Sequence, residues 1–214
     1  MKSSALPKKS EQTRQRILDA AATLLAARGY GGTSIKAIAE EIGMQDASLY
    51  YYFPSKEALV LEVLHIGTRE AEHAVATAVA AIDANEEPLE ALRLAIVAHA
   101  KSVLGMGDYP RANVRNFGQL PAEIRTEHQA EQARYGLTWK ALIEKAMAVG
   151  AIRTDLDPSV VRMLILGAMN WGPEWFKTEG ALSPDRVGEQ MASLVLEGLV
   201  PRPERGHPAN AKND

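Results

Sequence analysis

Apolar residues fall on one helical face along almost the whole chain. Ile17, Leu18, Ala21, Leu24 and Leu25 recur three and four apart, and Arg28 then Gly29 close that segment as a last-turn cation and a left-handed stop would. Thr33 reads as the N-cap of a short second helix carrying Ile35, Ile38, Ala39 and Ile42, which Gly43 breaks. Leu49 and Phe53 define the inward face of a third, stopped by Pro54. Ser55 caps a fourth whose stripe is Leu59, Val63 and Ile66. Pro88 then opens a helix ending near Gly105, a short helix spans Arg111 to Phe117, and Pro121 begins a long one to Val149 with Gly136 as a weak point. Asp157-Pro158 and Ser183-Pro184 each place a capping side chain before a proline at the first helical position, predicting helices over about 157–171 and 183–199. No useful stretch alternates with period two. The expected fold is all-α, about nine helices, with a three-helix unit over residues 11–54 and a larger helical domain over 55–200. The basic start, 1–10, and the Pro-rich polar end, 201–214, are expected to be flexible.

Charge changes this picture. Residues 1–39 hold seven Lys/Arg and two acids, net +5, which leaves −8 on the remainder to give the overall −3. A basic front on an acidic body suits an anionic partner, nucleic acid or lipid, or serves only as a solubilising tail. The chain has no cysteine, so disulfides, thiolate metal sites and cysteine nucleophiles are excluded, and a reducing compartment is expected. No uncharged run approaches a membrane span, and no apolar core follows the basic start as in a secretory signal. A cytoplasmic location is the expectation.

The chemistry concentrates in TSIKAIAEEIGMQDASLYYYF, Thr33 to Phe53. Two short helices joined by a tight glycine turn, with crossing apolar faces, follow the grammar of a helix-turn-helix. Three successive tyrosines cannot all point inward at about 100° per residue, so at least one hydroxyl faces outward where a phosphate could accept from it. Thr33 and Lys56 lie at helix starts, where side-chain donors and free N–H groups coincide.

These residues, continued through FPSKEAL, resemble the DNA-binding signature of the tetracycline-repressor (TetR) family. The resemblance covers about 45 residues and implies a homodimeric repressor with an N-terminal DNA-binding domain and a C-terminal domain for effector and dimerisation. It implies contacts to double-stranded DNA from Thr33, Ser34 and Lys36, from Gln45, Asp46, Ala47 and Ser48, and from Tyr50, Tyr51, Tyr52 and Lys56. Gln45 is a poor N-cap where many members have Ser, and Ala47 replaces a frequent glycine. Asp46 is expected to cap the helix rather than accept from a cytosine amine.

In the C-terminal half, MLILGAMNWGPEWF and LSPDRVGEQMASLVLEGL resemble TetR members associated with acyl-CoA and lipid catabolism. Trp171 and Trp175 share a helical face, and Met106, Phe117, Trp139, Met147 and Met169 could line a deformable apolar pocket. Arg111 and Arg115 could grip an anion. The same residues also fit plain core packing, paired arginines fit a solvated face, and Trp171 also fits a subunit contact. Two apolar stripes suit a two-fold four-helix interface or burial in one subunit: Val161, Leu164, Ile165 and Ala168, then Val187, Met191, Leu194 and Val195.

Other classes fare poorly. Glu-x-x-His occurs at Glu62/His65, Glu70/His73 and Glu204/His207, but the first two lie on one helix and cannot face each other across a di-iron bundle. No nucleophile elbow, P-loop or zinc-protease motif is present, and no cofactor or metal is expected. A helical module whose first helix meets a membrane would need an apolar face that the next two helices also need.

Overall fold

Caps and breakers set the helix boundaries. The computed structural model describes residues 9–201 except 106, 117 and 178. Among them lie ten helical segments and no strand: α1 (Lys9–Arg28), α2 (Ile35–Ile42), α3 (Asp46–Leu49), α4 (Lys56–Val79), α5 (Pro88–Leu104), α6 (Asp108–Asn116), α7 (Ala122–Ala148), α8 (Pro158–Asn170), α9 (Gly172–Trp175) and α10 (Pro184–Leu199). Lys9 and Ser10, expected in a flexible end, form the first turn of α1. Ser55, Asp157 and Ser183 cap α4, α8 and α10 with side-chain oxygens, as their sequence positions predict. Pro173 splits the helix expected over 157–171 from a further single turn, α9. α7 runs unbroken through Gly136, where an added Cβ would strike the Arg162 guanidinium of α8. That glycine permits a close helix contact and is no weak point.

Two cores share one helix. Ile17, Leu18 and Leu25 of α1, Ile38 of α2, and Leu49 and Phe53 pack against Leu59, Val63 and Leu64 of α4. Further along, Val75 of α4 joins Leu92 and Ile96 of α5, Trp139 and Ile143 of α7, Ile165 of α8 and Leu196 of α10. α6 packs on both α1 and α4. The apolar face of α1 is consumed by the first core, so it offers no membrane-binding face. Among the described residues no helix is long and apolar enough to cross a membrane.

The second core contains a neutral histidine. His99 Nε2 lies 3.1 Å from Asn170 Oδ1, an acceptor, so that nitrogen carries the proton, and Nδ1 accepts from the Tyr135 hydroxyl at 2.9 Å. Burial pushes His99 down to about 4, and burial next to His65 does the same to His128. The unfolded chain, near 6.5, takes up these protons first, so their stabilisation is complete above about pH 6.5 and declines as pH falls towards 4. The urea midpoint is therefore expected to drop between pH 7 and pH 5. Equal midpoints would show that neither ring is held neutral.

Candidate nucleic-acid interface

The turn between α2 and α3 depends on Gly43. Its φ of 68° is left-handed, and it lets the Met44 N–H reach the Ala39 carbonyl at 2.9 Å and the Gly43 N–H reach Glu40 at 3.2 Å. The chain thereby leaves α2 sharply and enters α3. Leu49 and Phe53, both buried, anchor α3 and the turn after it to the first core. α3 is only four residues long, shorter than the third helix expected to carry both Leu49 and Phe53 up to Pro54. Tyr52 N–H bonds to Leu49 at 2.9 Å, a three-residue step, so the helix relaxes into a turn before Pro54.

Several expected contact residues face outward together. Ser34, Lys36, Gln45, Asp46, Ala47 and Ser48 are exposed. Tyr50 is 54% and Tyr51 83% exposed, whereas Tyr52 is half-buried and meets Tyr51 edge-on at 5.2 Å. Lys36 reaches only its own helix, pairing with Glu40 at 3.8 Å with 72% of its side chain exposed.

Other expectations need correction. Thr33 is buried and is not the N-cap of α2. Its hydroxyl donates to Gly29 O at 2.9 Å and its N–H to Tyr30 O at 3.3 Å, leaving nothing for a phosphate. Ser34 caps α2 instead, accepting from Ala37 N–H at 3.1 Å. Asp46 does not cap α3: it is the first helical residue, and Gln45 occupies the cap position without a side-chain bond. Lys56 is half-buried, with Nζ donating to Tyr30 O at 2.6 Å and lying 3.8 Å from the Tyr30 ring centroid. Burial lowers its pKa. The Tyr30 hydroxyl, partly buried and donating to Glu57, is pushed up to about 12.

The basic front is likewise less free than its charge count implies. Arg14 forms an ion pair with Glu62 and lies 4.7 Å from the Phe53 ring centroid, tying α1 to α4 beside the turn that follows α3. Arg16 donates to the Ile42 carbonyl at 3.0 Å, closing the C-terminus of α2. Both cations brace the unit across its surface. Nothing in the spacing of α1 singled them out for that role.

The proposed effector residues do not converge. Trp139 and Met169 are buried in the second core and Met147 packs half-buried against it, while Trp171 and Trp175 are 66% and 51% exposed. Arg111 lines a cleft with Val103, Leu104, Pro173, Phe176 and Lys177, but Arg115 is exposed and does not line it. Sequence reasoning missed Lys177 and the cleft's α5 floor. Met106 and Phe117 lie outside the described residues. The dimer stripes also need rephasing. Val161 and Ile165 are buried in their own subunit, Met191 and Val195 pack half-buried against its core, and Val187 is half-buried. Leu164, Ala168 and Leu194 do face outward, joined by Val160 and Met163, which the sequence pattern did not single out.

Comparison with known proteins bears on this arrangement. The family model described as "Tetracyclin repressor-like, C-terminal domain" matches residues 85–199, and "Bacterial regulatory proteins, tetR family" matches residues 17–63. The HTH-type transcriptional repressor KstR2 of Mycolicibacterium smegmatis is 28% identical over 212 residues, covering 91% of this chain and 94% of that protein. The crystal structure of AibR in complex with isovaleryl coenzyme A and operator DNA has a TM-score of 0.75 at 30% identity, covering 88% of this chain and 98% of that one. PfmR, a TetR family transcriptional regulator from Thermus thermophilus, has a TM-score of 0.72 at 28% identity, covering 85% of this chain and 97% of that one.

Proposed function

This chain belongs to the TetR family of helix-turn-helix transcriptional regulators, and from that premise we propose that it represses transcription as a homodimer on a palindromic operator. An effector that is bulky and apolar, or resembles an acyl-CoA, binds the C-terminal half and favours a state whose two recognition segments no longer fit the DNA. The protein is a regulator and not an enzyme. It works in the cytoplasm, where its DNA lies.

The observation that carries the DNA reading is the exposure of Tyr50 and Tyr51, the large hydrophobic side chains left outside the otherwise buried first core. Beside them lie Ser34, Lys36, Gln45, Asp46, Ala47 and Ser48, with Tyr52 and Lys56 at the margin. In a dimer two such surfaces would sit ~34–36 Å apart and enter successive major grooves. The dimer reading draws on the apolar face of α8 and α9, where Val160, Met163, Leu164, Trp171 and Trp175 are exposed, and on Leu194 of α10. A lone subunit seldom leaves such a face to water, and two helices per subunit would pair into a four-helix bundle. The effector reading draws support from AibR, a similar protein crystallised with an acyl-CoA and its operator.

Lys36 and Gln45 give the test. Lys36→Ala is expected to weaken binding to all duplexes alike and to reduce the slope of log affinity against log salt by about two per dimer. Gln45→Ala is expected instead to change which sequence is preferred, read by selection from a random duplex pool. An unchanged salt slope for Lys36→Ala would remove the phosphate role assigned to it.

A further inference from the structure

Asp46 is exposed at the first position of α3, and within its own subunit it has no task. It does not cap the helix, and among the described residues its carboxylate has neither a hydrogen bond nor an ion pair. Cations of the same unit are engaged elsewhere: Lys36 with Glu40, Arg14 with Glu62, Arg16 with the Ile42 carbonyl and Lys56 with the Tyr30 carbonyl. The backbone stays right-handed helical through Tyr50, so Asp46 and Tyr50, four apart, share a face, and Tyr50 is exposed on it.

On a surface otherwise suited to phosphates, a bare carboxylate is a liability. Repulsion from the DNA backbone opposes it on every duplex alike, and it can only accept hydrogen bonds. That opposition is offset only where the duplex offers a donor. The N-terminal residues of a recognition helix reach base edges in the major groove, and the donors there are the exocyclic amines of cytosine and adenine. Adenine N6 lies between two acceptors, its own N7 and thymine O4, so a carboxylate bonded to it sets its second oxygen against a lone pair. Cytosine N4 has an acceptor on one side only, guanine O6, and a C–H on the other. Guanine and thymine offer no donor at all in that groove.

We propose that Asp46 is a specificity-determining residue of the DNA contact, accepting from one cytosine N4 amine in each half-site and rejecting the other bases there. The inference deepens the DNA-binding reading of the chain and rests on it. Tyr50 on the same face and Lys36 on α2 hold phosphates and fix the register, whereas Asp46 chooses the base. Its contribution is as much rejection as attraction. A duplex with thymine in place of the cytosine leaves the carboxylate dehydrated against an acceptor, which costs more than a missing bond.

The test lets the full chain select duplexes from a random pool, and fluorescence anisotropy then follows the selected duplex and its single-base-pair variants. The wild type is expected to require one cytosine per half-site. Exchanging it for thymine replaces the amine with an acceptor, and is expected to weaken binding by about tenfold in one half-site and about a hundredfold in both. Asp46→Asn keeps the size and removes the charge. It is expected to lose the preference for cytosine at that position and to take adenine, with which an amide bonds bidentately. Asp46→Ala is expected to show no preference there. Both variants are expected to bind a duplex of unrelated sequence severalfold more tightly than the wild type, and to unfold close to the wild-type temperature because Asp46 is exposed and unbonded. The proposal is overturned if both variants select the wild-type sequence at every position. It is equally overturned if each cytosine-to-thymine exchange weakens Asp46→Ala as much as the wild type. Either result leaves the DNA-binding reading in place, since the wild type has selected a duplex. Failure of the wild type to select any duplex removes that reading and this assignment with it.

Discussion

Replacing Tyr50 and Tyr51 together with alanine is expected to weaken operator binding by about a thousandfold while leaving thermal unfolding unchanged. The two effects separate because neither ring belongs to a core: Tyr50 is 54% and Tyr51 83% exposed, and Tyr51 touches another aromatic ring only at its edge. A hydroxyl donating to a charged phosphate contributes about 1–2 kcal/mol. Two such groups in each of two subunits give a loss of roughly 4 kcal/mol or more, which is the thousandfold. Tyr50→Phe with Tyr51→Phe divides the loss between hydroxyl and ring. Fluorescence anisotropy on a selected duplex measures it. Wild-type affinity in the double alanine variant would place the DNA-contacting surface elsewhere.

Trp139→Ala is expected to be the most damaging single change to stability, by about 3–5 kcal/mol, or roughly 10 °C in unfolding temperature. The indole is fully buried in the second core, edge-on to His99 at 5.7 Å and to Tyr135 at 6.4 Å. Removing it opens a cavity beside the hydrogen bonds that hold His99 between α7 and α8. Trp139→Phe separates volume from polarity. The indole Nε1 is buried beside the Tyr135 hydroxyl without a hydrogen bond of good geometry, so phenylalanine keeps most of the packing and gives up at most a weak donor contact. Its expected cost is under half that of alanine. Chemical unfolding decides the matter, and equal losses for the two variants would show that packing volume is not what the indole supplies.

The DNA-binding unit was legible because its determinants are local. The glycine that turns the chain at 43, the serine that caps α4, and the four-residue spacing of Leu49 and Phe53 all act within one or two helical turns. Even there the reading slipped by one residue at Ser34, since Thr33 and Ser34 are both competent caps. Only the path of the chain after Gly29 directs the Thr33 hydroxyl back onto the preceding helix. Asp46 was a plausible cap for the same reason, but α3 begins at it rather than after it.

The C-terminal half was legible as helices and not as a site. α8 carries apolar residues on two faces, Val161, Ile165 and Met169 on one and Val160, Met163, Leu164 and Trp171 on another. Spacing alone cannot say which face turns inward when both are apolar, because adjacent positions differ by only about 100°. Similarly, the tryptophans at 139, 171 and 175 are equal as letters, yet one is core and two are surface.

Most helix boundaries, the turn at Gly43 and the family can be read from the order of residues, since caps, breakers and 3.6-residue periodicity are short-range effects that neighbouring residues settle. Which faces are buried, which basic residues are already engaged, and where a cleft with accessible cations lies all emerge only when the helices pack. Arg14 meets Glu62, Arg16 meets Ile42, and Asp108 stands between Arg111 and Thr23. Most of those pairings join residues far apart in the chain, and only the packing of α1 against α2, α4 and α6 brings them within reach.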